Sequence, residues 1–356
     1  MSGAPESTQI SPRRKALFAV LLSSFSVLFG LAAAEVVLRW RANAAADEPE
    51  GRAGPKHTQA SPHPDVVYEL RPGQEGLFRE QPLRVNALGL RGPETTLEKP
   101  PGVFRIVGIG DSFMFGWGVA QSEVYLRRVE EALNEGSCPP GTTKPRFETL
   151  NFAVPGYNTV MEVATLEHRA LAFAPDLVLQ HFVGNDLAVP HFLDPDQDRP
   201  TSYLFDLVER ALTDTSDAED GEAGLPTRQL RRRSEASAPY ARLGGREPFL
   251  AAMAKLAKLT AERGIPVWTV AVGHINNKNL QQAIRQHGFN YLNLGQALHR
   301  HLETTGQAAD AWARNFRIPG DGHPTALAHR LFAEAIVERL AAEPSFPLCR
   351  QPRALP

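Results

Sequence analysis

Four short stretches of this chain hold the residue types that acyl transfer through a hydroxyl requires. They are Gly110-Asp111-Ser112, Pro155-Gly156-Tyr157-Asn158, Gly184-Asn185-Asp186 and Asp321-Gly322-His323. The chemistry needs a nucleophile, a base to take its proton, an acid to hold that base in the right tautomer, and donors aimed at the developing oxyanion. Ser112 supplies the hydroxyl. His323 follows closely on Asp321 where a loop runs into a helix-forming stretch, so the imidazole is read as the base and Asp321 as the acid that orients it. Gly156 can bring its backbone N–H close to a ligand because no Cβ stands in the way. Asn185 offers a neutral amide donor, and the Ser112 N–H makes a third. The scheme calls for no cofactor and no metal.

Neighbouring residues have plainer readings. Asp111 and Asp186 read as turn or helix-capping acids. Trp117 either packs beside the loop that follows Ser112 or lines the substrate site. His181 falls inside an apolar run and reads as a core histidine.

Each chemical stretch follows a segment that could deliver it to one edge of a sheet. Strand candidates are 104–109, 149–154, 177–183, 267–272 and 291–294, and the segments between them carry helical spacing. Helices are expected over 122–135, 159–173, 247–263 and 324–342. The second opens with Thr159-x-x-Glu162, a capping-box pattern, and the last with Pro324 as a suitable first helical residue. Strand and helix in alternation imply a flavodoxin-like α/β/α sandwich with a mainly parallel five-stranded sheet. Ligands of such sheets sit at the carboxyl ends of the strands, where these stretches fall.

The rest of the chain says how this domain is carried. Residues 16–34 hold no charge over nineteen positions, about 28 Å as a helix and close to the ~30 Å core of a bilayer. Arg13, Arg14 and Lys15 precede them, which suits a transmembrane signal-anchor over 1–41 with its short basic end in the cytoplasm and the remainder exported. A cleaved signal peptide is the competing reading, since Ala32-Ala33-Ala34 resembles a cleavage site. Residues 42–64 read as a flexible tether, 65–102 as an N-terminal cap, 103–342 as the main domain and 343–356 as a tail. A polar insertion at about 214–238, acidic and then basic, reads as a solvated disordered loop. The net charge of −2 gives no basic field, so no nucleic-acid partner is expected. Cys138 and Cys349 are the only cysteines; export would permit them to pair, and two free thiols are the alternative.

Taken in order, the Ser, Gly, Asn and His stretches resemble the four blocks of the SGNH, or GDSL, hydrolase family. The resemblance covers about 103–342. The preceding Asn86-Ala87-Leu88-Gly89-Leu90-Arg91-Gly92 is similar to a segment of membrane-anchored bacterial members. It implies Ser112 as nucleophile, His323 as base, Asp321 as supporting acid, and Gly156, Asn185 and the Ser112 N–H as the oxyanion hole. Two blocks depart from the family pattern. Val183 stands where the third block usually has glycine, and the fourth reads Asp-x-His in place of Asp-x-x-His. The implied activity is an esterase acting through an acyl-serine, on an O-acylated glycan or lipid of the cell envelope given the anchor. Transfer of the acyl group to a sugar hydroxyl, or silent glycan binding, are the alternatives.

Overall fold

Five parallel strands in the order β6-β5-β7-β8-β9 form the central sheet of the computed structural model: β5 (Val103–Ile109), β6 (Arg146–Asn151), β7 (Leu177–Phe182), β8 (Val267–Ala271) and β9 (Asn290–Asn293). The expected doubly wound fold is present, and each expected strand is found with its ends shifted slightly. The structure describes residues 12–46, 57–136, 138–140, 142–190, 193, 202–205, 207–208, 240–272, 277–308 and 311–349. The expected disordered insertion at 214–238 lies outside them.

Both faces of the sheet are covered, which is why its strands read as apolar runs and not as alternations. Ile106, Leu177, Leu179, Trp268 and Val270 face one core. Val107, Ile109, Val178, Phe182, Val267 and Ala271 face the other. The helices are α1 (Pro12–Ala46), α2 (Ser112–Phe115), α3 (Tyr125–Glu135), α4 (Thr159–His168), α5 (Arg246–Ala261), α6 (Lys278–His287), α7 (Gly295–Thr304), α8 (Ala311–Phe316) and α9 (Ala326–Ala341). Helix α3 packs with α9, and α4 packs with α5. The chain leaves β5 for edge strand β6 on one side and then crosses to β7 on the other. The carboxyl ends of β5 and β7 therefore flank the topological switch point.

Two helix starts differ from the sequence reading. The cap of α4 is Asn158, whose side chain accepts from Met161 N, and Glu162 is buried instead of reaching back over the helix end. Thr325, not the residue before Pro324, caps α9, because Pro324 bridges back to Arg317. The expected helix to 173 stops at His168 and continues as a 3-10 turn over Ala170–Phe173.

The cap joins the main domain in one compact unit. Its strands β1 (Thr58–Ala60) and β2 (Tyr68–Leu70) pair antiparallel, as do β3 (Glu75–Phe78) and β4 (Gln81–Arg84). Val66, Tyr68, Leu70, Phe78, Leu83 and Val85 are buried in the same core as Ile106. Of the stretch expected as a tether over 42–64, residues 42–46 belong to α1 and Thr58–Ala60 to β1, and 47–56 lie outside the described residues. Beyond α9, Phe346 stacks on Phe147 and meets the edge of Phe104. Cys349 then forms a disulfide with Cys138, Cα to Cα 5.7 Å, fastening the tail to the end of α3.

Candidate active site

The nucleophile position follows from how tightly the chain turns at the end of β5. A Cβ on Gly110 would stand 2.8 Å from Met114 Cβ, so only glycine lets α2 fold back on its own strand. Asp111 caps this helix. Its Oδ1 accepts Phe113 N at 2.8 Å, and its Oδ2 lies 3.1 Å from Ser112 Oγ. Asp111 is thus the capping acid that its position predicted.

Ser112 Oγ also lies 2.9 Å from His323 Nε2, and His323 Nδ1 bonds Asp321 Oδ1. The second carboxylate oxygen of Asp321 accepts Trp117 Nε1–H at 2.9 Å. The bond to His323 is the main cause that holds the Asp321 carboxyl down at about 2, aided by Trp117 and the nearby Arg79 against partial burial. An ionised Asp321 can only accept, so the imidazole proton sits on Nδ1 and the Nε2 lone pair faces the serine. Serine, histidine and aspartate therefore form one hydrogen-bonded line. The short Asp-x-His spacing is closed by a tight turn. Gly322 takes φ +83°, and Ile318 N bonds His323 O at 2.8 Å while Gly322 N returns to Ile318 O.

The two remaining blocks are tied together beside this line. Gly156 sits at φ +83°, where a Cβ would lie 2.9 Å from Tyr68 Oη. Tyr68 from the cap donates to Pro155 O at 2.8 Å, and Tyr157 Oη donates to Tyr68 O, so the cap fixes the Gly156 turn. Asn158 Nδ2 holds Ala188 O and Leu243 O, and Thr159 holds Asp186 through both its N–H and its hydroxyl. These bonds bring the loops after β6 and β7 together. Asn185 is half-buried, and its side chain is a hydrogen-bonding neighbour of Asp111. The backbone N–H groups of Ser112 and Gly156 have no acceptor among the described residues.

Trp117 does more than pack. Its ring stacks on His323 with centroids 4.7 Å apart and planes 14° apart, and the Arg79 guanidinium lies 4.8 Å from the indole centroid. Arg79 stands in the β3–β4 turn at φ +49°, with Glu80 at +63°, a left-handed pair without the usual asparagine and glycine. His181 is fully buried with Nδ1 2.9 Å from Tyr125 Oη, and burial pulls its pKa down to about 3, so it is a neutral core histidine.

Sequence reasoning did not find two features beside the site. The first is Arg91. Its buried guanidinium donates to Phe115 O, Gly116 O and Val119 O at 2.8, 2.5 and 2.7 Å and stacks on the Phe115 ring. It has no carboxylate partner among the described residues, and burial lowers its pKa to about 10. The loop it holds carries Trp117. The second is a set of three buried acids, Asp111, Glu162 and Asp186. Burial, then repulsion among them, raises the pKa of Glu162 and Asp186 well above the usual carboxylate range. Glu162 Oε1 and Asp186 Oδ1 have no hydrogen-bond partner among the described residues. Neither residue belongs to a group of three or more ligating side chains able to hold a metal; none exists among the described residues.

Residues 109–331 match the model of the GDSL-like Lipase/Acylhydrolase family. Similar solved structures include a lipase/acylhydrolase from Enterococcus faecalis, at 14% identity over 70% of this chain and 100% of that one, TM-score 0.41. A G-D-S-L family lipolytic protein from Desulfitobacterium hafniense shows 12% identity over 66% and 98%, TM-score 0.39. An acetylxylan esterase from Geobacillus stearothermophilus shows 14% identity over 66% and 93%, TM-score 0.38. No curated protein matches the sequence. The Gly-Asp-Ser turn at the carboxyl end of β5, the family match and the parallel sheet lead to one conclusion: this chain belongs to the GDSL-like lipase/acylhydrolase family of ester hydrolases.

Proposed function

We propose that the chain is a serine esterase that works through an acyl-Ser112 intermediate. The observation that carries this reading is the hydrogen-bonded line from Ser112 Oγ through His323 to Asp321. Ser112 Oγ attacks the ester carbonyl carbon as its proton passes to His323 Nε2, and Asp321 stabilises the imidazolium. The carbonyl oxygen takes the negative charge and accepts from the N–H groups of Ser112 and Gly156 and the amide of Asn185. Collapse breaks the ester C–O bond, and the imidazolium gives its proton to the leaving alkoxide. Water, deprotonated by His323, then attacks the acyl carbon, and the acyl–Oγ bond breaks as His323 returns the proton to Ser112 Oγ and the acid leaves.

The enzyme is held to a membrane by α1, with the catalytic unit on the extracytoplasmic side. Leu17–Arg41 is long and apolar enough to span a bilayer, with a mean hydropathy of 2.2, and Arg13, Arg14 and Lys15 stand before it. The Cys138–Cys349 disulfide suits an oxidising compartment. Such an address favours an acylated glycan or lipid of the envelope as substrate.

A fluorophosphonate probe tests the mechanism, because labelling requires an activated hydroxyl. Wild-type protein is expected to label and to hydrolyse p-nitrophenyl acetate, and Ser112→Ala to do neither while keeping its circular dichroism spectrum. Labelling or turnover that survives Ser112→Ala overturns the assignment.

A further inference from the structure

Helix α1 and residues 202–208 fall in a compact unit of their own. Within it, the Glu35 carboxylate accepts from Ser202 Oγ at 3.0 Å, Tyr203 N at 3.1 Å and Leu204 N at 2.8 Å. Arg39 donates to the same carboxylate at 2.7 Å, and its guanidinium lies 5.6 Å from the Tyr203 ring centroid. Glu35 thus uses its lone pairs on a second segment of chain, beginning where the backbone becomes helical at 203–205.

The level of this junction is set by the sequence of α1. The uncharged run ends at Ala34, about one bilayer core away from its start at residue 16. Glu35, Arg39 and the exposed Trp40 therefore stand at the level of the headgroups, where charged residues and tryptophan collect at the ends of a span. The segment latched to Glu35 shares that level. It turns outward Phe205, Leu207 and Val208, exposed by 61%, 51% and 49%. Three large apolar side chains exposed so close together on a polar connection call for an apolar neighbour. The exposed apolar surface of α1 belongs to the same unit, and on the reading of α1 as an anchor it is covered by lipid.

We propose that residues 202–205 with Leu207 and Val208 form a second membrane contact, an interfacial segment whose Phe205, Leu207 and Val208 enter the headgroup boundary of the bilayer while Glu35 holds its start. The proposal rests on reading α1 as a retained membrane anchor. The segment belongs to the connection between β7 and α5, which begins with the Asn185 loop of the active site.

The test uses the full chain in phosphatidylethanolamine–phosphatidylglycerol vesicles, with an environment-sensitive fluorophore at one introduced cysteine under non-reducing conditions. Three positions are compared: Leu28→Cys in the span, Leu207→Cys in the segment, and Ala251→Cys on the exposed face of α5. Lipids carrying nitroxide at shallow or deep positions act as quenchers. The Leu28 label is expected to be quenched by the deep nitroxide, the Leu207 label by the shallow one, and the Ala251 label by neither. Adding Glu35→Gln or Glu35→Ala is expected to lower quenching at 207 several-fold and leave that at 28 unchanged. A Leu207 label as open to aqueous iodide as the Ala251 label, with Leu28 embedded, overturns the interfacial contact while the anchor stands. Quenching at 207 that ignores both Glu35 variants overturns the latch. A Leu28 label in water overturns the anchor and the inference with it.

Discussion

Trp117 Nε1 donates to Asp321 Oδ2 at 2.9 Å, which leaves Asp321 Oδ1 to His323. The indole also stacks on the imidazole, so one side chain from the loop after the nucleophile fixes both the acid and the base.

Trp117→Phe keeps a ring against His323 and removes the N–H. A hydrogen bond to a charged group contributes about 1.5–3 kcal/mol, so kcat for p-nitrophenyl acetate is expected to fall by roughly 10- to 100-fold with KM little changed. Steady-state kinetics decide between the two readings of this residue. A rise in KM that grows with acyl chain length, with kcat intact, would assign Trp117 to the substrate instead of to Asp321.

Arg91 acts one step further from the chemistry, through the carbonyls of Phe115, Gly116 and Val119 that flank Trp117. Arg91→Lys keeps the charge and cannot reach all three carbonyls; Arg91→Met keeps only the apolar stem. Both are expected to slow fluorophosphonate labelling of Ser112, Met more than Lys, by roughly 10–100-fold at the extreme, as a misplaced constellation would. Thermal unfolding of the same samples separates the two effects. A loss of Tm with labelling of the folded protein unchanged would leave Arg91 a purely structural clamp.

Much of this site was legible because its parts follow strands. The apolar run into Gly110-Asp111-Ser112, and the blocks after β6 and β7, could be ordered along one sheet edge without knowing a contact. Glu162 was not legible. The pattern Thr159-x-x-Glu162 describes a local cap, but Asn158 takes that role and tertiary packing carries Glu162 into the interior. Arg91 escaped for another reason: its acceptors are backbone carbonyls, which leave no mark in the residue types. The β3–β4 turn escaped because Arg79-Glu80 lacks the Asn-Gly signature of a left-handed pair. Pro324 suggested a first helical residue, and only its bridge to Arg317 moves the helix start to Ala326.

The buried acids predict how stability varies with pH. Glu162 and Asp186 have folded pKa values raised above their unfolded values of about 4.3 and 3.9. Between those limits the folded state holds protons that the unfolded state has lost, so stability falls as pH rises from about 4 toward the folded values. Asp321 works in the opposite sense. Its lowered pKa contributes stability above about pH 4 that disappears as pH falls toward 2, outside the same window. Glu162→Gln is therefore expected to flatten the decline between pH 5 and 8 and to raise Tm at pH 8 more than at pH 5, by roughly 2–4 °C for each kcal/mol recovered. A pH profile of Tm parallel to that of the wild type would contradict the assignment of Glu162 as a strained buried acid.

The disulfide closes a loop with a sequence separation of 211 between Cys138 and Cys349, and it holds the tail whose Phe346 packs between Phe104 and Phe147. Neither cysteine touches the Ser112–His323–Asp321 line. Reduction, or Cys138→Ala with Cys349→Ala, should therefore lower stability and spare the chemistry. Cross-links of long loops contribute about 2–5 kcal/mol. Urea unfolding with and without dithiothreitol is expected to show a loss in that range, while kcat for p-nitrophenyl acetate in native buffer stays within about twofold, a barrier change of ~0.4 kcal/mol. A large fall in kcat with folding intact would mean that the tail positions the catalytic unit through α3, the helix that lies between the Trp117 loop and Cys138.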